Sequence, residues 1–382
     1  MFKDVPTMTM IRRLWNRVCR RRELIRREEP LEMLELPAPE PLLALPPPRP
    51  TLALALQGGG AHGAFTWGVL DRLLEEDIRL VGVSGASAGA MNAVMLAQGW
   101  ARGRIGGGPG GSCEGAREGA RAELANFWER VSAAGRLGPI RPSLADRLLG
   151  RWNVDHAPGS HLVDWARRWI TPYQTQSAGF HPLRGLLAEL VEPELIRQAG
   201  LRLFVSATNV QTGALRLFDE EEVGVDQLLA SACLPHLFRA VRIDGQDYWD
   251  GGYLANPPLS PLAEACPGAD LLVVAINPLT CPVTPEDPAG IAARLNQITF
   301  NAALLQEMRS LSARGGGNGG PRLHLIDADE HLQDLGLYSK LMTDWSFLNW
   351  LRDAGREAAG HWVADNLPAV GKESSARSPA LV

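Results

Sequence analysis

No apolar run in this 382-residue chain reaches 18 residues, which argues against a membrane-spanning helix. The opening residues have no apolar segment of the kind a secretory leader needs, so export is not expected. The five cysteines, at 19, 113, 233, 266 and 281, are odd in number and form no C-x-x-C pair or metal-ligand spacing. That argues against a disulfide framework or a structural zinc, and the expectation is reduced thiols in a cytoplasmic protein. Gly-Lys-Ser/Thr is missing, which excludes a P-loop. A basic excess is missing as well: the net charge of −5 argues against nucleic acid as a partner. Hydrophobic residues are not scarce. At 45% they supply the core of one large or two smaller domains.

Strand-like and helix-like segments alternate. Strands are expected at 51–57, 80–84, 201–208, 214–218, 240–249, 270–276 and 322–326. Helices are expected at 62–76, 88–99, 119–133, 183–199, 225–233, 258–265, 289–313 and 345–365. This alternation predicts an α/β fold with a mainly parallel sheet wrapped by helices. Residues 102–118 read as a mobile Gly-rich insertion and 314–321 as a flexible loop. Residues 134–182 hold Trp152, Trp165, Trp169, Tyr173 and Phe180 among prolines and are expected to cap the site.

The most informative segment is Gly85-Ala86-Ser87-Ala88-Gly89, which follows the apolar run Leu80-Val81-Gly82-Val83. Small residues on both sides allow a sharp strand-to-helix turn that exposes the Ser87 hydroxyl. The helix that follows aims its positive N-terminal end at that hydroxyl. Upstream, Gly58-Gly59-Gly60-Ala61-His62-Gly63 succeeds the apolar run at 51–57. Consecutive glycines leave N–H groups unobstructed, as the oxyanion of a tetrahedral intermediate requires. Tyr248-Trp249-Asp250-Gly251-Gly252-Tyr253 puts an aspartate at the end of a strand-like stretch. Folded against Ser87, that carboxylate can take its proton.

Each motif has a plainer reading. The Gly58–Gly63 pattern also satisfies the dinucleotide fingerprint, which expects an acidic residue at the end of the second strand to hold the ribose. Here the second strand runs through Val83-Ser84 directly into the serine turn, which argues against a dinucleotide. Asp250 alone reads as a turn aspartate before Gly-Gly. An α/β-hydrolase esterase with a Ser-His-Asp triad would use His324, His331 or His361. His324 alternates with Leu323 and Leu325, and His331 follows Asp329-Glu330. Structural or surface roles are expected for both. The glycine cluster also precedes the serine by a single helix, which favours a Ser-Asp dyad.

In this order the three motifs resemble those of the patatin-like phospholipases: G-x-G-x-x-G at Gly58–Gly63, G-x-S-x-G at Gly85–Gly89 and D-G-[AG] at Asp250–Gly252. Ser231-Ala-Cys-Leu-Pro235 and Gly252-Tyr-Leu-Ala-Asn-Pro257 are similar to bacterial members, as are Asn296-Gln-Ile-Thr-Phe-Asn301 and Leu341-Met-Thr-Asp-Trp345. His62 stands where that family often has arginine. The resemblance spans about residues 51–265. It implies a three-layer α/β fold and a serine acyl hydrolase that cleaves lipid esters, phospholipid or lysophospholipid, through an acyl-enzyme. Ser87 would be the nucleophile and Asp250 the general base. Gly58, Gly59, Gly60 and Gly63 would form the oxyanion hole, supported by Gly85, Gly89, Gly251 and Gly252. No metal or organic cofactor is implied. A non-catalytic membrane-binding protein keeping the fold is the alternative from another class, and the intact Ser87, Asp250 and glycines argue against it.

Residues 1–50 differ in character from the rest. Within 1–30, nine basic residues face four acidic ones, a net charge of +5 that leaves −10 for the remainder. Ile11, Leu14, Trp15, Val18 and Ile25 follow helical spacing, so a basic amphipathic arm is expected. Lying on an anionic inner membrane surface or remaining a solvated tail are both open to it. Residues 38–50 are Pro-rich and read as a stiff linker. The expected organisation is 1–50 arm and linker, 51–265 catalytic domain, and 266–382 an α/β extension that completes the fold.

Overall fold

The structure is a computed structural model that describes residues 49–106, 112–138, 140–177, 180–315, 320–378 and 380. The chain divides into Met1–Pro48 and Arg49–Val382. The expected basic arm and most of the Pro-rich linker lie outside the described residues.

Eight strands build one sheet: β1 (Thr51–Leu56), β2 (Arg79–Gly85), β3 (Arg202–Asn209), β4 (Leu215–Asp219), β5 (Val241–Ile243), β6 (Gln246–Asp250), β7 (Asp270–Ala275) and β8 (Leu323–Asp327). The order β3-β2-β1-β7-β8 is parallel throughout, and β4, β5 and β6 join it antiparallel. Six longer helices accompany it: α1 (Gly63–Leu73), α2 (Ala88–Gly106), α3 (Cys113–Ala134), α4 (Pro158–Trp169), α5 (Pro288–Gly315) and α6 (Trp345–Asn366). Among the described residues no helix is long and apolar enough to cross a membrane.

The pleat of β1 explains the layers. Alternate side chains point to opposite faces. Leu52, Leu54 and Leu56 enter a core with Phe65 and Leu70 of α1, Met95 of α2, Leu124 of α3 and Phe347 of α6. Ala53 and Ala55 enter a second core with Leu304, Met308 and Leu311 of α5. Covered on both faces, β1 is an apolar run rather than an alternating one. Each leucine so buried contributes about 1.5–3 kcal/mol.

One feature of β3 positions the site. Strand β4 covers Phe204–Thr208 along one edge of β3. A strand has only two edges, so β2 and β6 must succeed one another along the other. Gly85 ends β2 opposite Val205, and Asp250 ends β6 opposite Ala207. The C-terminal ends of two strands remote in sequence therefore converge.

Several expectations need correction. Residues 240–249 form a hairpin, β5 and β6, turned by Asp244 and Gly245 with φ of 49° and 79°; paired left-handed residues match the twist of a tight hairpin. The helix expected at 183–199 is broken into Arg184–Leu190 and Pro193–Gln198, since proline begins the second piece. Of the Gly-rich stretch 102–118, residues 102–106 and 113–118 are helical. A Cβ on Gly103 would lie 1.9 Å from the Gly115 carbonyl oxygen, so glycines there let α2 and α3 cross closely. Residues 107–111 and 316–319 lie outside the described residues. Trp152 is buried against Phe347 and Trp350 as a packing aromatic. Trp169, Tyr173 and Phe180 are exposed.

Candidate active site

Ser87 has a φ of 52°, one of two non-glycine residues in the left-handed region among the described residues. A side chain is held there only when the surroundings dictate it. Here they do. A Cβ on Gly85 would lie 2.4 Å from the Gly89 carbonyl carbon, and one on Gly89 2.0 Å from the Leu56 oxygen. The turn is therefore packed too tightly for any other residue at either position. The Ser87 N–H donates to Ser231 Oγ at 2.9 Å, and α2 begins at the next residue. Ser87 is half-buried, and its neighbours Ala86 and Ala88 are buried.

Asp250 is 1% exposed, and its Oδ1 accepts the Gly252 N–H at 2.7 Å. Its Oδ2 is buried with no hydrogen-bond partner. Burial pushes the carboxyl pKa up to about 7, against opposing contributions from the Gly252 N–H, the Ser87 hydroxyl and the Lys340 charge. The Ser87 hydroxyl thus lies near enough to favour the carboxylate. A buried acceptor without a partner costs about 1–3 kcal/mol, so it needs a reason. Catalytic hydrogen bonds often tighten only when substrate arrives. Gly251 lets the chain pass β3, since a Cβ there would lie 2.1 Å from the Ser206 oxygen.

The glycine loop is gripped on both sides. Gly58 donates its N–H to Asn256 Oδ1 at 2.7 Å, and its carbonyl accepts from Asn277 Nδ2 at 2.9 Å. Asn301 Oδ1 accepts from Gln57 Nε2 at 2.7 Å, and Gln57 Oε1 in turn accepts the Ile276 and Asn277 N–H groups. Two of the expected donors are already engaged in the protein. The Gly58 N–H is committed to Asn256 and is not free for an oxyanion. Gly63 turns its N–H back onto the Gly60 and Ala61 carbonyls. A Cβ on Gly63 would lie 2.7 Å from Ala88 Cβ, so this glycine serves helix packing. The N–H groups of Gly59 and Gly60 have no acceptor within the described protein and are the open donors of the loop.

His62 is 2% exposed. Ser339 Oγ donates to the Gly336 carbonyl, so it accepts from His62 Nε2 at 2.7 Å, which assigns the proton to that nitrogen. Burial and the Lys340 charge push its pKa down to about 3; the ring is neutral. His324 is also enclosed, against Ser375 Oγ at 2.7 Å and Asp270 Oδ2 at 3.0 Å, on β8 rather than beside Ser87. His331 packs on Phe65, and His361 is exposed on α6. A cavity of about 390 Å³ lined by Ser260, Leu311 and Arg314 contains none of the candidate residues, so the site is read from its chemistry instead.

Four residues were not assigned a role in the sequence: Ser231, Asn256, Asn277 and Lys340. The first two stand inside the segments quoted for the resemblance, but nothing in the spacing links them to Ser87 or Gly58. Asn277 and Lys340 carry no local signal and are found only through the fold.

The family model described as Patatin-like phospholipase matches residues 54–263. No curated protein matches. Among solved structures, VipD from Legionella pneumophila is 19% identical, the match covering 83% of this chain and 67% of that one at a TM-score of 0.37. The ExoU–SpcU complex of the type III secretion system of Pseudomonas aeruginosa is 16% identical, with 84% and 52% covered and a TM-score of 0.33. The chain spans about half the length of that second relative.

Proposed function

We propose, on the premise that this chain belongs to the patatin-like phospholipase family, that its lipid acyl hydrolase activity runs through a Ser87–Asp250 dyad. The observation that carries the dyad is the buried, unpartnered Asp250 Oδ2 beside a serine held at positive φ. In this reading Oδ2 takes the Ser87 proton as Oγ attacks the ester carbonyl. The N–H groups of Gly59 and Gly60 receive the oxyanion, an interaction worth about 3–4 kcal/mol per donor in comparable sites. The tetrahedral intermediate collapses to an acyl-enzyme, and Asp250 returns its proton to the departing alcohol. Water then gives a proton to Asp250 and attacks the acyl carbonyl; Asp250 passes that proton to Ser87 Oγ as the acyl bond breaks, which releases the fatty acid and restores Ser87. A carboxyl with a pKa of about 7 suits a base that must exchange protons near neutrality.

The substrate class is a phospholipid or lysophospholipid ester. The catalytic unit comprises 51–265 completed by 266–382, because β7 and β8 extend the sheet beside β1 while Asn277 and Lys340 hold the glycine loop. The arm at 1–30 adds a peripheral contact with anionic membrane, checked by vesicle co-sedimentation that weakens as salt rises.

A fluorophosphonate probe tests the dyad. It is expected to label the wild-type protein at Ser87 and to leave Ser87→Ala unlabelled. Asp250→Asn should retain under about a tenth of wild-type turnover, and the double variant should be no worse than either single one. Larger retained turnover by Asp250→Asn moves the base elsewhere. A lipid panel read by mass spectrometry identifies the ester cleaved.

A further inference from the structure

The short helical turn Leu337–Leu341 meets the glycine loop directly at Gly60 and His62, and through Asn277 at Gly58. The Lys340 carbonyl oxygen would lie 2.3 Å from a Cβ on Gly60. Ser339 accepts from His62. The Lys340 ammonium donates to Asn277 Oδ1 at 2.6 Å and to Asn296 Oδ1 at 2.7 Å. An ammonium has only donors, so it fixes which end of each amide faces it. The Asn277 oxygen must turn to Lys340, and its NH₂ must turn to the Gly58 carbonyl. The Gly58–Gly59 peptide is trans, so its C=O and N–H point in opposite directions. Gripping the carbonyl from behind therefore aims the Gly59 N–H forward.

We propose that Lys340 is a positioning residue of the hydrolase site: through Asn277 it orients the Gly58–Gly59 peptide as an oxyanion donor and sets a positive charge behind the loop. The inference rests on the hydrolase reading above. His62, buried and neutral, brings no charge to the loop. The charge comes instead from a separate element some 280 residues further along the chain.

The same charge acts on Asp250. Desolvation pushes the Lys340 pKa down to about 8, and the Asp250 carboxylate opposes that shift. The other titratable groups around the pair are silent near neutrality. His62 has a pKa of about 3, and burial raises Cys233 and Tyr253 to about 12. Removing the cation therefore raises the Asp250 pKa without a second group to compensate.

The test is kinetic, on a soluble short-chain ester, with wild-type protein as the reference arm. Lys340→Met is expected to lower kcat by about 10–100-fold with KM within about two-fold, and to move the rising limb of the kcat/KM–pH profile upward by about half a unit or more. Asn277→Ala should give a similar loss in kcat with that limb unmoved, because the charge remains. The double variant should lose less than the product of the singles. A residue that merely supports the fold would lower thermal stability and leave the pH limb in place. The proposal is overturned if Lys340→Met, folded, keeps kcat within about three-fold and the limb stays put. If Lys340→Met does not fold, Asn277→Ala decides, and kcat within about two-fold of wild type overturns the proposal. Wild-type protein that takes no fluorophosphonate at Ser87 overturns the hydrolase reading itself, and the Lys340 proposal with it.

Discussion

A Cβ on Gly58 would lie 2.8 Å from the Cβ of Ser87 and 2.6 Å from the Ala86 carbonyl oxygen. The glycine loop and the serine turn therefore meet backbone to backbone, and the sequence keeps glycine at 58 because nothing larger fits. This contact, with the convergence of β2 and β6 along β3, brings three motifs into one place. None of the three motifs alone specifies a site. Their shared packing does.

Gly60 offers a direct test of the loop. Its φ of 61° and a Lys340 oxygen only 2.3 Å from an added Cβ leave no room for alanine. The left-handed conformation alone costs about 1–2 kcal/mol for an L-residue, and relieving the clash must displace the Gly59–Gly60 peptide. Gly60→Ala is expected to lower kcat by about 10-fold or more, with KM little changed and a lower melting temperature. Steady-state kinetics on a short-chain ester and thermal unfolding check this. An unaltered kcat would make the loop a structural turn only.

Asp250 links activity and stability to pH with opposite signs. In the proposed dyad the base works only when ionised, so kcat/KM should rise with pH through about 7. For stability, the folded-state pKa is raised above the ordinary value of 3.8 by burial. The folded protein then holds this proton more tightly than the unfolded chain. Its contribution is fully present below about 3.8, is lost as pH climbs toward 7, and remains a constant cost above. Asp250→Asn, which stays neutral, should gain stability relative to wild type across that window, on the order of a few kcal/mol at the plateau. Denaturant midpoints at pH 5, 6, 7 and 8 measure it. A difference independent of pH would place the titration elsewhere.

Much of this was legible in the sequence because the signals are local. The apolar run 51–57, the Gly85–Gly89 turn and the Asp250-Gly251-Gly252 corner each declare themselves within a few residues. The hairpin at 240–249 was missed because Asp244-Gly245 sits inside a run that otherwise reads as one strand. At Gly103 and Gly115 the expectation of a loop gave way to helix, because glycines for close helix crossing look the same as glycines for a loop. A sequence does not show where an N–H points: those of Gly58 and Gly63 meet acceptors inside the protein. Lys340 and Asn277 were invisible for the same reason. Their roles arise from a contact between distant segments that only the folded sheet creates.

His324 separates the proposed dyad from a triad. Its two ring nitrogens bridge Ser375 and Asp270, and its ring meets the edge of Trp362 at 5.7 Å between centroids. Asp270 is 1% exposed and also holds Arg322 and the Gly371 N–H. Removing the imidazole would leave a buried carboxylate short of one donor and open a void against Trp362, while touching nothing near Ser87. His324→Ala is therefore expected to destabilise the protein by about 1–3 kcal/mol. The kcat of the folded fraction should stay within about two-fold of wild type. Urea unfolding and esterase assays below the unfolding transition give both numbers. Loss of turnover with stability intact would return the catalytic base to His324 and set aside Asp250.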